Sequence, residues 1–185
     1  MIAVLDACVL FPTVLREILC SCAGAGLYRP VWSDRILDEW TRAAARLGPD
    51  GAAIAGAEAA LLRAGFPRAM FPGDEEIAAG LDLPDPADRH VVATALTAGA
   101  GLIVTFNLRD FPRPAMAAAG LRAIHPDAFL CDLLADHPDA VEAAARGAWV
   151  RANALGAQTG LRPLMKRARL PRLGRALSRA DDERG

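Results

Sequence analysis

Short apolar runs and longer stretches of helical period take turns along this chain. Ile2-Ala3-Val4-Leu5 is an apolar run closed by the charged Asp6, and it predicts a buried strand. Phe11-Pro12-Thr13 opens a helix through Leu15, Ile18 and Leu19 that ends near Gly24 and Gly26. A short extended piece covers Leu27 to Trp32. Ser33 is a suitable N-cap for a helix from Asp34 to Leu47, in which Ile36, Leu37, Trp40, Ala43 and Leu47 share one face and Gly48-Pro49 ends the run. An alanine-rich helix from about Gly51 to Ala64 follows, then a candidate edge strand over Pro67–Phe71.

Asp85-Pro86-Ala87-Asp88 leads into a strong helix from Arg89 to Ala98, and Leu102–Phe106 reads as a second buried strand. A short helix near Pro114–Ala119 precedes a last strand at Leu121–Ile124. Strands separated by helices predict a three-layer α/β domain around a parallel sheet, with its site where strand carboxyl ends gather. From Asp127 onward only helical periods remain, over Asp127–Ala135 and Asp139–Ala154, the second burying Val141, Ala144, Ala145, Ala148 and Trp149. Residues 1–130 are read as the α/β domain and residues 131–185 as a helical extension ending in a basic tail.

Composition narrows the function. The 185 residues are 53% hydrophobic, enough for a sizeable core. No apolar run reaches the roughly 18 residues that span a bilayer. The start lacks a basic segment and Asp6 interrupts its apolar run, so the expectation is a cytoplasmic protein without a membrane partner. Cys8, Cys20, Cys22 and Cys131 complete no zinc-like spacing and are expected to be reduced thiols. The net charge of −1 conceals an asymmetry: residues 161–185 hold eight basic and three acidic side chains, a net of +5, leaving −6 for residues 1–160.

The carboxylates then change the picture. Each alone has a structural explanation. Asp6 suits a turn into a helix, Asp85 suits N-cap with Pro86 at N1, and Asn107 and Asp110 suit a turn after the strand. Helical geometry sends Asp34 and Asp38 to solvent but puts Glu39 at the margin of the apolar stripe. Asp88 falls on the buried edge of its helix, three and four residues before Val91 and Val92. Two acids at strand ends and two on helix faces converge on one place, where they repel each other unless a hard divalent cation such as Mg²⁺ or Mn²⁺ joins them. Such a site suits phosphoryl chemistry.

Four stretches carry a resemblance: Val4–Leu10, Trp32–Glu39, Asp85–Ala93 and Thr105–Phe111. In that order and spacing they resemble the PIN domain, the nuclease domain of VapC-type toxins, over roughly residues 2–130. The resemblance implies a PIN-like α/β/α fold and a metal-dependent endoribonuclease with Asp6, Glu39, Asp88 and Asp110 as its acidic constellation. Of these, Asp6, Asp88 and Asp110 would ligate Mg²⁺ or Mn²⁺. Asn107 matches the polar position ending the strand and Thr105 the hydroxyl before it, while Asp85 matches an additional acid of an Asp-Pro-x-Asp subset. Cys8 stands where Asn is frequent in the family. RNA as substrate, a protein antitoxin and a homodimer are the partners implied, and the helical extension is similar to that of some larger VapC-type toxins.

His90 lies just inside its helix, placed to pack, to meet solvent or to approach substrate, whereas His125 and His137 have no partner spacing. Arg35 and Arg109 flank the acids. Arg162, Lys166, Arg167, Arg169, Arg172 and Arg175 make the tail a candidate electrostatic RNA contact, a partner-binding segment or a disordered one. A haloacid-dehalogenase-like phosphatase is disfavoured because it wants an Asp at Cys8 and a catalytic lysine, and Lys166 is the only lysine. A PIN-like module that binds RNA or protein without cutting is the rival from another class.

Overall fold

Strand β1 (Ile2–Leu5) is buried over Ala3, Val4 and Leu5, each 0% exposed, because it has a parallel neighbour on either side. The computed structural model describes residues 1–48 and 50–182. Pro49, half of the expected helix stop, and residues 183–185, the end of the expected basic tail, lie outside the described residues. The sheet runs in the order β2-β1-β3-β4, with β2 at Arg29–Val31, β3 at Leu102–Val104 and β4 at Arg122–Ile124. All pairings are parallel, in registers such as Val4↔Val31, Val4↔Ile103 and Ile103↔Ala123.

This order dictates where a site can form. From β1 the chain crosses to β2 on one side and later to β3 on the other, so β1 and β3 straddle the topological switch point. Crossover connections diverge there and leave a crevice beyond the strand carboxyl ends. Asp6 follows β1 directly and Thr105 follows β3 directly, and the Asp6 amide donates to the Val104 carbonyl at 3.2 Å.

Two compact units divide the chain: Met1–Phe11 with Tyr28–Ile124, and Pro12–Leu27 with the chain from His125 onward. The first contains the sheet and helices α1 (Ala7–Leu10), α3 (Asp34–Ala45), α4 (Gly51–Gly65), α5 (Glu75–Ala79), α6 (Arg89–Ala98) and α7 (Arg113–Ala118). The parallel sheet with its helices fits the expected PIN-like α/β/α class. The second unit is helical throughout: α2 (Thr13–Gly24), α8 (Pro126–Asp136), α9 (Pro138–Ala154), α10 (Leu161–Arg167) and α11 (Pro171–Asp182). No described helix is long and apolar enough to cross a membrane.

Local chemistry explains most boundaries. Ser33 Oγ accepts from the Ile36 amide at 3.3 Å and starts α3. Ile36, Leu37, Trp40 and Ala44 bury its inner face, while Asp34 and Asp38 are exposed as helical geometry requires. Leu47 departs from the expected stripe: α3 ends at Ala45 and the side chain is 75% exposed. Gly48, at φ 143°, has already turned the backbone out of helix. The expected edge strand at 67–71 shrinks to one bridge, Trp32↔Met70. Pro67 lacks a ladder donor and Pro72 closes the segment. Trp149 is half-buried, its indole N–H donating to the Thr159 carbonyl at 2.6 Å. His125 has a structural duty its spacing did not announce, because Nδ1 accepts from the Asp127 amide at 3.1 Å and caps α8.

Asp127, in turn, is 3% exposed and reaches across the second unit. Its Oδ2 accepts from the Arg172 amide and its Oδ1 from the Leu173 amide, both at 2.9 Å, satisfying two orphan donors at the start of α11. Asp127→Ala should destabilise the protein by about 2 kcal/mol, the upper part of the range for a lost helix cap. Asp127→Asn, which keeps one acceptor, should lose less; chemical denaturation of both variants checks the order.

Candidate active site

Asp6 is 5% exposed, a carboxylate taken almost wholly out of water at the end of β1. Such a group must be hydrogen-bonded. Thr105 Oγ1, arriving from the end of β3, donates to Asp6 Oδ2 at 2.6 Å, and Cys8 Sγ donates to the same oxygen at 3.1 Å. Both donors are themselves fixed by backbone: the Phe106 amide donates to Cys8 Sγ at 3.3 Å and the Asn107 amide to Thr105 Oγ1 at 3.0 Å. Burial above all, then the charge of Asp6, pushes the Cys8 thiol up to about 12, so it remains a protonated donor. Asp6 Oδ1 accepts no hydrogen bond among the described residues.

The other acids come from separate elements. Asp85 is the N-cap of a 3-10 turn at Pro86–Asp88, its Oδ1 accepting from the Ala87 amide at 2.8 Å, with Pro86 at the first turn position as expected. Asp88 closes that turn and is half-buried. Burial first, then the charges of Asp6, Asp110 and Asp85 in that order, push its carboxyl up to about 6. Those four acids therefore share one electrostatic neighbourhood. Asp110 closes a second 3-10 turn, Leu108–Asp110, and Arg109 Nε lies 3.6 Å from its Oδ1 with the arginine 90% exposed. A surface pair of that kind neutralises little. Asn107 is exposed.

Glu39 belongs to a different local arrangement. Its Oε1 stands 3.0 Å from His90 Nε2 and 3.4 Å from Arg35 Nε, while Arg35 Nη2 donates to the Ala87 carbonyl at 3.3 Å. Burial pushes the Glu39 carboxyl up, but His90 and then Arg35 outweigh it and hold the group below the ordinary glutamate range. His90 is 5% exposed and neither ring nitrogen has a well-directed hydrogen bond. Its closeness to Glu39 is therefore an electrostatic contact. Sequence spacing did not reveal that His90 and Arg35 flank Glu39; the i, i+4 relation of Arg35 and Glu39 was its only trace.

A donor set of carboxylate oxygens, one of them the unengaged Oδ1 of buried Asp6, suits a hard divalent cation. Among the described residues no three His, Cys, Asp or Glu side chains are gathered closely enough to hold an ion as they stand.

A family model described as PIN domain matches residues 3–109, more than half of the chain. The span includes Asp6, Glu39, Asp85, Asp88, Thr105 and Asn107 and stops one residue before Asp110. Over 60 residues, 32% of this chain, the sequence is 43% identical to a Mycobacterium tuberculosis (strain ATCC 25618 / H37Rv) protein named "Putative ribonuclease VapC50". The aligned stretch spans 36% of that relative's length. No solved structure matches.

The raised Asp88 carboxyl has a thermodynamic consequence. It ionises at the ordinary 3.8 in the unfolded chain and at about 6 in the folded one. Between those values the folded chain holds the extra proton, so stability falls as pH rises through the window and the cost is complete above it. Asp88→Asn should therefore raise the melting temperature above pH 6, with the gain vanishing as pH falls toward 3.8. Paired thermal melts across pH in EDTA check this, and a pH-independent gain would contradict it.

Proposed function

Because this chain belongs to the PIN domain family, we propose that it is a divalent-metal-dependent endoribonuclease acting in the cytoplasm as the toxin of a toxin–antitoxin pair. The observation that carries the reading is the neighbourhood of Asp6, Asp85, Asp88 and Asp110, felt as the raised Asp88 carboxyl. Mutual repulsion among acids is a cost that folding alone gives no reason to retain, and it is relieved by a cation. Asp6, Asp88 and Asp110 would hold Mg²⁺ or Mn²⁺. Bound there, the cation would stabilise charge on a phosphodiester and make a water more acidic.

This chain's own residues would divide the remaining work. Thr105 and Cys8 fix Asp6 through one oxygen, Oδ2, and leave Oδ1 without a hydrogen bond among the described residues, available to a cation. Glu39, whose affinity for protons His90 and Arg35 lower despite its burial, would act as a fixed negative charge that orients a water or a cation-bound group and would not itself take up the proton. Asp85 and Asn107, both exposed, would meet substrate, and Arg109, 90% exposed and only loosely paired with Asp110, could turn toward phosphate. His90, being buried, supports Glu39 and does not touch RNA.

Purified protein should cleave structured RNA with Mg²⁺ or Mn²⁺ and stop when EDTA is added. Asp6→Asn and Asp88→Asn should each reduce the rate by more than about 100-fold, and Thr105→Val by about 10- to 100-fold, the range for losing a partner that orients a ligand. Equal cleavage by all of them would remove the site from the reaction. RNA binding without any cleavage would favour the non-cutting module.

The partner proposed is a small antitoxin that inserts an arginine toward Asp6, Glu39, Asp88 and Asp110, since a guanidinium matches carboxylates in charge and geometry. Expression alone should arrest growth, and co-expression with an adjacent small gene product should restore it. A harmless protein that still cuts RNA in vitro would end the toxin assignment and leave the nuclease.

A further inference from the structure

Seven basic side chains lie between Arg162 and Arg179 with no acid among them, and nothing in the acid cluster uses them. The segment is a folded helix pair, α10 and α11. Its apolar side chains are turned inward, with Leu164, Met165, Leu170, Leu173 and Leu177 between 0% and 5% exposed. All seven cations are exposed. Arg162, Lys166, Arg167, Arg175 and Arg179 form no ion pair among the described residues. The neighbouring acids of α8 offset only part of this charge. Asp127 is buried with both oxygens on amides, and Asp132 shares the surroundings of Cys131 with Arg172 and Arg175.

We infer that the α10–α11 pair is a docking surface for the phosphate backbone of RNA, without base preference. Six of the seven cations are arginines, whose fork of donors matches phosphate oxygens. Residues 161–185 contain no aromatic side chain, so bases have nothing to stack on. Because its apolar side chains are already covered, the pair has no wedge to offer a lipid bilayer. A polyanion attracted here is one that residues 1–160, with a net charge of −6, repel on balance. The inference rests on the nuclease reading for the identity of the polyanion.

The test uses the full chain carrying Asp6→Asn, so that RNA is bound and not cut, with a fluorescent single-stranded homopolymer RNA in EDTA. Anisotropy titrations over a salt series give log K against log salt. A further triple substitution, Arg162→Gln, Lys166→Gln and Arg179→Gln, should weaken binding and flatten the slope by about 2, at roughly 0.7 per phosphate contact on a single strand. Arg162→Lys with Arg179→Lys should keep most of the slope, separating charge from structure. An unchanged slope in the glutamine variant overturns the inference. So does a variant that holds RNA but loses a polyglutamate peptide, which would give the surface to an acidic protein partner. Failure of the nuclease reading registers separately, as no cleavage by the unsubstituted protein whatever the slope.

Discussion

A single buried carboxylate, Asp6, organises the carboxyl end of this sheet. Its Oδ2 is claimed by a hydroxyl from the end of β3 and a thiol two residues along its own chain, and each donor receives a backbone amide in turn. Two strands adjacent at the switch point are thus locked at their ends as well as along their ladder. A carboxylate in such a place costs less for each hydrogen bond it accepts, and among the described residues both side-chain donors fall on one oxygen, Oδ2. The lock settles the orientation of Asp6, and with it the direction from which Asp88 and Asp110 feel its charge.

The four acids of the proposed site sit in two electrical settings. Asp88 is raised by burial and then by the charges of Asp6 and Asp110, while Glu39, despite its burial, is lowered by His90 and Arg35. Environments that drive carboxylates apart in acidity commonly mark a division of labour, with one group binding charge and another moving protons. Arg35 also joins α3 to the Ala87 carbonyl, one residue before Asp88, so the two settings are mechanically tied.

How much of this was legible in the sequence depends on the range of the interaction. Strand β1, the Ser33 cap, the Asp85-Pro86 turn and helix α6 follow from local period and capping, and all appear where they were expected. The placement of Asp6 and Thr105 at neighbouring strand ends was also legible, because strand ends are local facts and a parallel sheet gathers them. What was hidden is long-range. No spacing says that Thr105 and Cys8 share one oxygen of Asp6, or that His90 is buried against Glu39. Helix α5 went unread because five residues carry no period, and its Asp74 cap is ordinary loop chemistry until the fold is known. Helix α2 belongs to the compact unit of the C-terminal helices, a partnership between segments a hundred residues apart.

Asp127 adds a constraint on how the chain is made. Its two oxygens need the amides of Arg172 and Leu173, residues synthesised long after it. Until those amides leave the ribosome, the carboxylate must keep its water, and α8 cannot settle into its final burial. The helices from α8 onward therefore complete their packing only after Arg172 and Leu173 have emerged. A nick or premature stop ahead of Arg172 would do more than trim an exposed end, because it would strand a negative charge inside a helical core. Quality control in the cell would meet such a fragment as a loosened unit with an exposed apolar face.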